Sequence, residues 1–562
     1  MTTSTPEKNT SAGLKPSTIR IGRRYRASRI DDDYDAIVIG SGIGGLTTAA
    51  CLSKAGKKVL VLEQHYTAGG FTHSYARNGY EWDVGVHYIG DMGSPNTLAR
   101  KLFDYITDGQ LKWAPMDETY DRFYLGDKIV NLKAGKEQFR ASLVEAFPEE
   151  EKAIDAYIRL LGKVSSGMQI YTMSKLAPTM TAPLVGKAVS LALPRYFNQT
   201  TYEVLSGLTD NEALIGAITG QWGDCGVTPK QSSFLIHALI AKHYVHGGYY
   251  PVGGASEMAN TIIPVIQQGG GDVFTYADVT NILVENGRAC GVRMADGHEI
   301  RSELIISNAG VINTFETLLP EAAVRKSGYP RTRQTIQPSM SHIGLYIGFK
   351  GTAAELGLPK TNFWIYPDEH HDRNVERFLD NTDSEFPVVY ISFPSAKDPS
   401  YLSRYPDTAT VEIVAPTTYD MFAQWKDDTW GKRGEEYEQL KQVVTDRLLE
   451  KLYEKLPQLR GKVDYVEAST PLSTDWFCRY SRGEIYGLDH TPERFDQTWL
   501  RPKTRIPGLY LTGQDILTCG VVGAMIGGLV TTLSIQGVKG AGLAKRIFVD
   551  KAGTTQAEPG LV

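Results

Sequence analysis

The chain has 562 residues, of which 42% are apolar and 22% charged. This is an ordinary globular balance, which excludes disorder or a small disulfide scaffold as a description of the whole, and the length suits roughly two to four domain-sized units. Lysine plus arginine total 59 against 64 aspartate plus glutamate, so the net charge of −5 leaves no broad basic surface and excludes nucleic acid as the expected partner.

Residues 1–34 are polar, with a basic run from Arg20 to Arg29 followed by Asp31, Asp32 and Asp33. They read as a flexible tail without the apolar core of a secretory signal. From Ala36 to Ile39 an apolar run reads as a short buried strand. Gly40, Gly42 and Gly45 follow as GxGxxG, then Leu46, Ala49, Ala50 and Leu52 at helical spacing. Val59 to Leu62 form a second strand, closed by Glu63. Each part of this unit has a chemical reason. Gly40 makes the tight turn, Gly42 lets backbone approach a pyrophosphate, and Gly45 lets helix and strand pack closely. The helix N-terminus offers N–H groups and partial positive charge to the phosphates. Glu63 is placed to accept hydrogen bonds from ribose hydroxyls and would repel a 2′-phosphate, so the dinucleotide is FAD or NAD. Gly69 and Gly70, close behind Glu63, favour FAD.

Further along, Gly253 to Glu257 open a helix that Gly269, Gly270 and Gly271 end. Val273 to Tyr276 read as a strand, and 277–284 with 288–294 as a hairpin in which Val279 presents backbone to an adenine. Leu304 to Gly310 return as another buried strand. Near the C-terminus Gly508 to Asp515 form a strand ending in an acid suited to the ribityl chain or pyrophosphate. The glycine-rich helix after it, opening near Gly523, directs its positive end at the flavin. The fold class expected is therefore α/β: a discontinuous Rossmann-like FAD-binding domain from 35–105, 250–315 and 500–548, and a mixed α+β substrate domain from 106–249 and 316–499. Runs 343–349, 388–393 and 410–414 read as strands of the second domain. Residues 549–562 read as a second tail.

The five cysteines show no CxxC spacing and the eleven histidines neither HxxxH nor HExxH, so no metal site is expected. GxSxG is missing as well. His87, Tyr88, Tyr249 and Tyr250 are the candidate catalytic residues, because they follow the glycine pairs that pass the flavin. Residues 168–197 mix methionine and leucine with Lys175, Lys187 and Arg195, broken by Pro178, Pro183 and Pro194. Such a stretch suits a membrane interface; a core-packing helix pair is the alternative. No uninterrupted apolar run of about 18 residues is present, so no transmembrane helix is expected.

Beyond the FAD fingerprint, the stretches 61–70, 82–90, 247–257, 393–399 and 510–520 resemble the retinol saturase group, within the carotenoid isomerase and phytoene desaturase branch of the flavin amine-oxidase superfamily. The resemblance spans about 33–548. It implies an FAD-dependent oxidoreductase acting on CH–CH groups, saturating a double bond of a retinoid or related polyene isoprenoid. It also implies a lipophilic substrate and a membrane surface as partners. The alternatives on the same fold are a carotenoid isomerase or desaturase, and a non-enzymatic prenyl-lipid carrier. With no second complete GxGxxG, the electron donor stays open between transient NAD(P)H and a redox partner. The direction of hydride movement, the exact polyene and the oligomeric state stay open too. The polar N-terminus suits a cytoplasmic location, peripheral to membrane.

Overall fold

The computed structural model describes residues 18–178, 180–192, 194–329 and 333–549. The expected tails at 1–17 and 550–562, and Leu193 of the expected interfacial segment, lie outside the described residues.

Six strands form one wholly parallel sheet, in the order Arg23–Arg24, Asp272–Thr275, Val59–Leu62, Ala36–Ile39, Ile305–Ser307 and Leu509–Leu511. The central strands are apolar at every position because both of their faces are covered. Ala36, Val38, Val59 and Val61 pack with helices Ile43–Ser53, Glu257–Gln268 and Gly520–Gln536. Ile37, Ile39, Leu60 and Leu62 face the other way, into a core shared with Ile282 and Val292 of an antiparallel sheet over Val279–Glu285, Arg288–Met294 and Glu299–Arg301. One sheet is thus assembled from four distant chain segments.

Residues 18–34 depart from the expected tail. Arg23–Arg24 pair with Phe274 and Thr275, and the Arg23 guanidinium bridges to Asp272. The edge of the parallel sheet would otherwise leave its N–H and C=O groups unpaired, which is the physical reason that polar residues are recruited there.

The second domain is built on a seven-stranded sheet, in the order Val463–Ser469, Ser341–Lys350, Thr408–Thr417, Val389–Ser392, Asn362–Tyr366, Thr119–Leu125 and Lys128–Lys133. The three alternating runs expected as strands lie within it. Helix Glu435–Lys455 packs Val444, Leu448 and Leu452 into the core on one face.

The stretch Gly520–Phe548 is long and apolar enough by length and composition to cross a membrane. Its first helix instead packs on Ile43–Ser53 within the core of the dinucleotide domain. In the 168–197 segment, helices Glu151–Ser174 and Ala182–Ala192 are separated by a short turn. Lys175 is not a surface cation there: it is buried, and its Nζ donates to the carbonyl of Leu500 at 2.7 Å.

The close approach of helix to sheet generates a prediction. A Cβ on Gly45 would lie 2.2 Å from the Gly40 carbonyl oxygen, with no flexible atom to yield. Gly45→Ala is expected to destabilise the fold by about 1–3 kcal/mol through overpacking, seen as a lowered thermal midpoint. An unchanged midpoint would refute this packing.

Candidate active site

A cavity of about 520 Å³ runs between the two domains. Its floor is the end of the parallel sheet. Ile39 ends its strand and Gly40 turns the chain at φ +93°, its N–H donating to Leu62 O at 2.8 Å. Gly42 is the N-cap of helix Ile43–Ser53 and offers no capping side chain, so the first-turn N–H groups are left for a ligand. A Cβ on Gly44 would lie 2.5 Å from Gly513 Cα, and one on Gly42 2.9 Å from Asn308 Nδ2. Three strand ends therefore meet at backbone distance. Gly69 and Gly70, at φ +123° and +58°, pack on this loop, and Gly42 and Gly69 form an isolated parallel bridge.

Glu63 is buried. Its Oε2 accepts from the Ser41 N–H at 2.8 Å and the Ser41 hydroxyl at 2.7 Å, and its Oε1 accepts from the His65 N–H at 2.8 Å. A carboxylate has about four acceptor positions, so one is left for a ribose hydroxyl. The acid holds the glycine loop as well as facing the cavity. Asp515 has a similar double role: it lines the cavity, and its oxygens accept from the Val311 N–H at 2.7 Å and the Leu488 N–H at 3.3 Å. Val279 also lines the cavity, at the start of its strand.

Four expected site residues lie elsewhere. Gly523 is off the cavity wall, against Thr518, because the helix already begins at Gly520; Gly520, Val521 and Ala524 line the cavity instead. Tyr88 stacks on Tyr244 with ring centroids 4.1 Å apart, and its hydroxyl reaches Asp121 at 3.0 Å behind the wall. Tyr249 is tied to Ile89 by a β-bridge with its ring against Gly93, while Tyr250 is buried and donates to Asp83. Strand Tyr249–Pro251 pairs with Trp113–Pro115, and that pairing turns both tyrosines from the cavity. Gly45, as expected, serves packing.

His87 does line the cavity. Its Nδ1 is hydrogen-bonded to Glu412 Oε2 at 2.8 Å, and its Nε2 has no protein partner among the described residues. Burial holds the imidazole neutral, with its pKa pushed down to about 3, and Lys397 adds to that effect. Burial likewise pushes Glu412 up to about 8, against the opposing pull of the Asp83 N–H and Lys397. The Lys397 ammonium, lowered to about 7 by burial, donates to His87 O at 2.9 Å, to Ser392 Oγ at 2.8 Å and to Asn362. A protonated Glu412 donates to His87 Nδ1, which leaves the ring N–H on Nε2. Glu412 and Lys397 contact His87 and were not among the expected site residues. Glu412 left one signal, a lone acid inside the run 409–415; Lys397 lies within the 393–399 stretch, with nothing there to mark its contact with His87. Farther along, Trp222, Trp364, Tyr390 and Tyr486 make the cavity wall aromatic. Among the described residues no group of three or more His, Cys, Asp or Glu is placed to hold a metal.

Residues 38–106 match the model of an NAD(P)-binding Rossmann-like domain. Among solved structures, cyclohexylamine oxidase from Brevibacterium oxydans IH-35A covers 92% of this chain and 99% of its own with a TM-score of 0.56. At 16% identity that likeness is one of fold. Fold and site together define a protein of the Rossmann type with a dinucleotide cradle. Two relatives narrow this further. All-trans-retinol 13,14-reductases of Danio rerio and Homo sapiens are 38% and 39% identical to it, over 92% and 91% of this chain and 88% and 87% of their own. The chain belongs to the all-trans-retinol 13,14-reductase family. A further Danio rerio relative, 34% identical over 92% of this chain and 87% of its own, is named an inactive all-trans-retinol 13,14-reductase.

The Glu412 environment generates a pH prediction. The folded chain keeps this proton up to about pH 8, whereas the unfolded chain releases it near the ordinary value of 4.5. The stability contributed by this group is present below the unfolded value and is lost as pH rises toward 8. Glu412→Gln cannot ionise, so its thermal midpoint relative to the natural chain should climb by about a few degrees between pH 5 and pH 8. A difference that stays flat or falls would show that Glu412 ionises freely.

Proposed function

We propose that this chain is an FAD-dependent reductase that saturates one double bond of a retinoid or related polyene. One observation carries the reading: a single cavity joins the glycine cradle to an aromatic wall, with the His87–Glu412 pair on its surface. Membership of the family supports the substrate class, but a relative named inactive means that the site must carry the activity. The residues fit FAD. Gly40, Gly42, Gly69 and Gly70 clear a path for a pyrophosphate, Glu63 keeps an acceptor for the ribose, and Val279 and Asp515 border the same cavity.

When bound and reduced, FAD supplies a hydride to an alkene carbon. The protein supplies the matching proton. His87 gives its Nε2 proton to the neighbouring carbon while its Nδ1 takes the proton of Glu412, so the ring ends as neutral as it began. The Glu412 carboxylate that results is held by the Asp83 N–H at 2.6 Å and by the nearby charge of Lys397. The aromatic wall excludes water and aligns the polyene.

The test uses holoprotein reduced with dithionite under anaerobic conditions and mixed with all-trans-retinol. Flavin reoxidation and a product heavier by about two mass units are expected. A product of unchanged mass would make the chain an isomerase. Turnover by oxidised protein only, with a lighter product, would make it a desaturase. Either would overturn the reading.

A lipophilic substrate arrives from lipid, and a membrane surface is part of the proposal. Met180, Leu184 and Leu191 are 94%, 73% and 80% exposed around one short helix, with Lys187 beside them. Each leucine is worth about 1.5–3 kcal/mol if buried in an interface. Leu184→Asp with Leu191→Asp should therefore weaken sedimentation with phosphatidylserine vesicles by more than about tenfold, with the flavin spectrum unchanged. Equal sedimentation of both proteins would remove this surface from the proposal.

A further inference from the structure

We propose that Asp224 anchors the hydroxyl group of a polyene alcohol, and so sets the preference of the cavity for alcohols over hydrocarbon polyenes. This rests on the reading of the cavity as a retinoid site.

Asp224 ends the short turn Trp222–Asp224 on the cavity wall, among Trp222, Trp364, Tyr390 and Tyr486. Its backbone carbonyl accepts from the Cys519 thiol at 3.6 Å, which places it beside the residue that caps the Gly520 helix. The carboxyl is thus near the place where the aromatic wall meets the dinucleotide cradle. On such a wall a carboxyl is costly unless something pairs with it.

The pairing inside the protein is incomplete. Behind the wall, Asp121 takes the available donors: Asn362 Nδ2 at 2.9 Å, Gln221 Nε2 at 2.8 Å and the Tyr88 hydroxyl at 3.0 Å. The Tyr88 hydroxyl lies 3.3 Å from Asp224 Oδ2, but it has one proton and the shorter contact is to Asp121. Asp224 Oδ1 has no hydrogen-bond partner among the described residues. A second group beside it is also unmet. The Tyr390 hydroxyl nearby is sealed behind the wall and has no hydrogen-bond partner among the described residues.

Burial, with the Asp121 charge adding to it, holds the Asp224 carboxyl well above the ordinary carboxylate range. A neutral carboxyl carries one O–H donor and a carbonyl acceptor. An alcohol donates to the open Oδ1 whether the carboxyl is ionised or neutral. A hydrocarbon end donates nothing, and would leave Asp224 Oδ1 buried and unpaired. The ring of Tyr390 lies 5.1 Å from that of His87, so an alcohol held here keeps its allylic carbons close to the proposed proton donor.

The test compares two ligands on the flavin-loaded full chain. One is all-trans-retinol, the other the hydrocarbon in which its CH₂OH is replaced by CH₃. Binding is read from quenching of tryptophan fluorescence, with Trp222 and Trp364 on the wall as reporters. The natural chain should prefer the alcohol by roughly tenfold or more. Asp224→Leu should erase that preference by weakening the alcohol alone. Asp224→Asn, which keeps a donor and an acceptor, should retain most of it and guards against a folding defect. An intact preference in Asp224→Leu, or equal weakening of both ligands, overturns the assignment. If the natural chain binds neither ligand, the retinoid reading itself falls. If the preference behaves as expected but no double bond is reduced, the anchor stands and the proposed reaction fails.

Discussion

The close approach of glycine backbone at three strand ends, packed around one asparagine, is the constraint on which the molecule depends. The loop after Ile39, the Asn308 side chain and the strand end at Gly513 meet at distances that a Cβ would violate, 2.5 Å from Gly513 at Gly44 and 2.9 Å from Asn308 at Gly42, and within the loop a Cβ on Gly45 would lie 2.2 Å from Gly40 O. Glycine is demanded there by space, and at Gly40 also by its positive φ. The same contact fixes where the helix N-terminus points, where Glu63 and Asp515 reach, and hence where the cavity opens. Glu63 and Asp515 each hold two loops together and present what acceptor capacity remains. Cofactor binding and the joining of chain segments are one arrangement here, so a change at either acid acts on both.

The second domain solves a different problem. It places Asp121, Glu412 and Lys397 almost out of contact with water. Such groups are tolerated when hydrogen bonds and opposite charges answer them. Asp121 is answered by three donors. Glu412 is answered by one imidazole, one N–H and one neighbouring cation. Asp224 is answered least and is the one that opens on the cavity. The degree of satisfaction falls toward the ligand, as expected of groups whose remaining partner is a ligand.

Much of the dinucleotide cradle was legible in the sequence because its chemistry is local. Gly40, Gly42, Gly45 and Glu63 lie within one strand–helix–strand unit, and their spacing states their roles. Asp515 and Val279 could be placed because each follows or opens a recognisable strand. Gly523 was misplaced by one helical turn, since a run of glycines does not mark which one starts the helix. Tyr249 and Tyr250 were misread for a deeper reason. Their direction is set by pairing with Trp113–Pro115, about 135 residues away, and no local pattern records it. The contacts of Lys397 and Asp224 and the pairing of Arg23–Arg24 were invisible for the same reason: their partners are distant in the chain.

The order of the parallel strands bears on how the protein is made. Leu509–Leu511 closes the sheet beside Ile305–Ser307, yet it is the last strand synthesised. The Gly44 approach to Gly513, and the clasp by Asp515 on Val311 and Leu488, do not exist until that strand emerges from the ribosome. A nascent chain carries the glycine fingerprint from its first tenth but has nothing to press it into shape. Such long-range closure is slow and leaves an unpaired strand edge exposed during translation. Closure of the cradle therefore waits on the strand that follows every other strand of its sheet in the chain, and it seals the fold rather than seeding it.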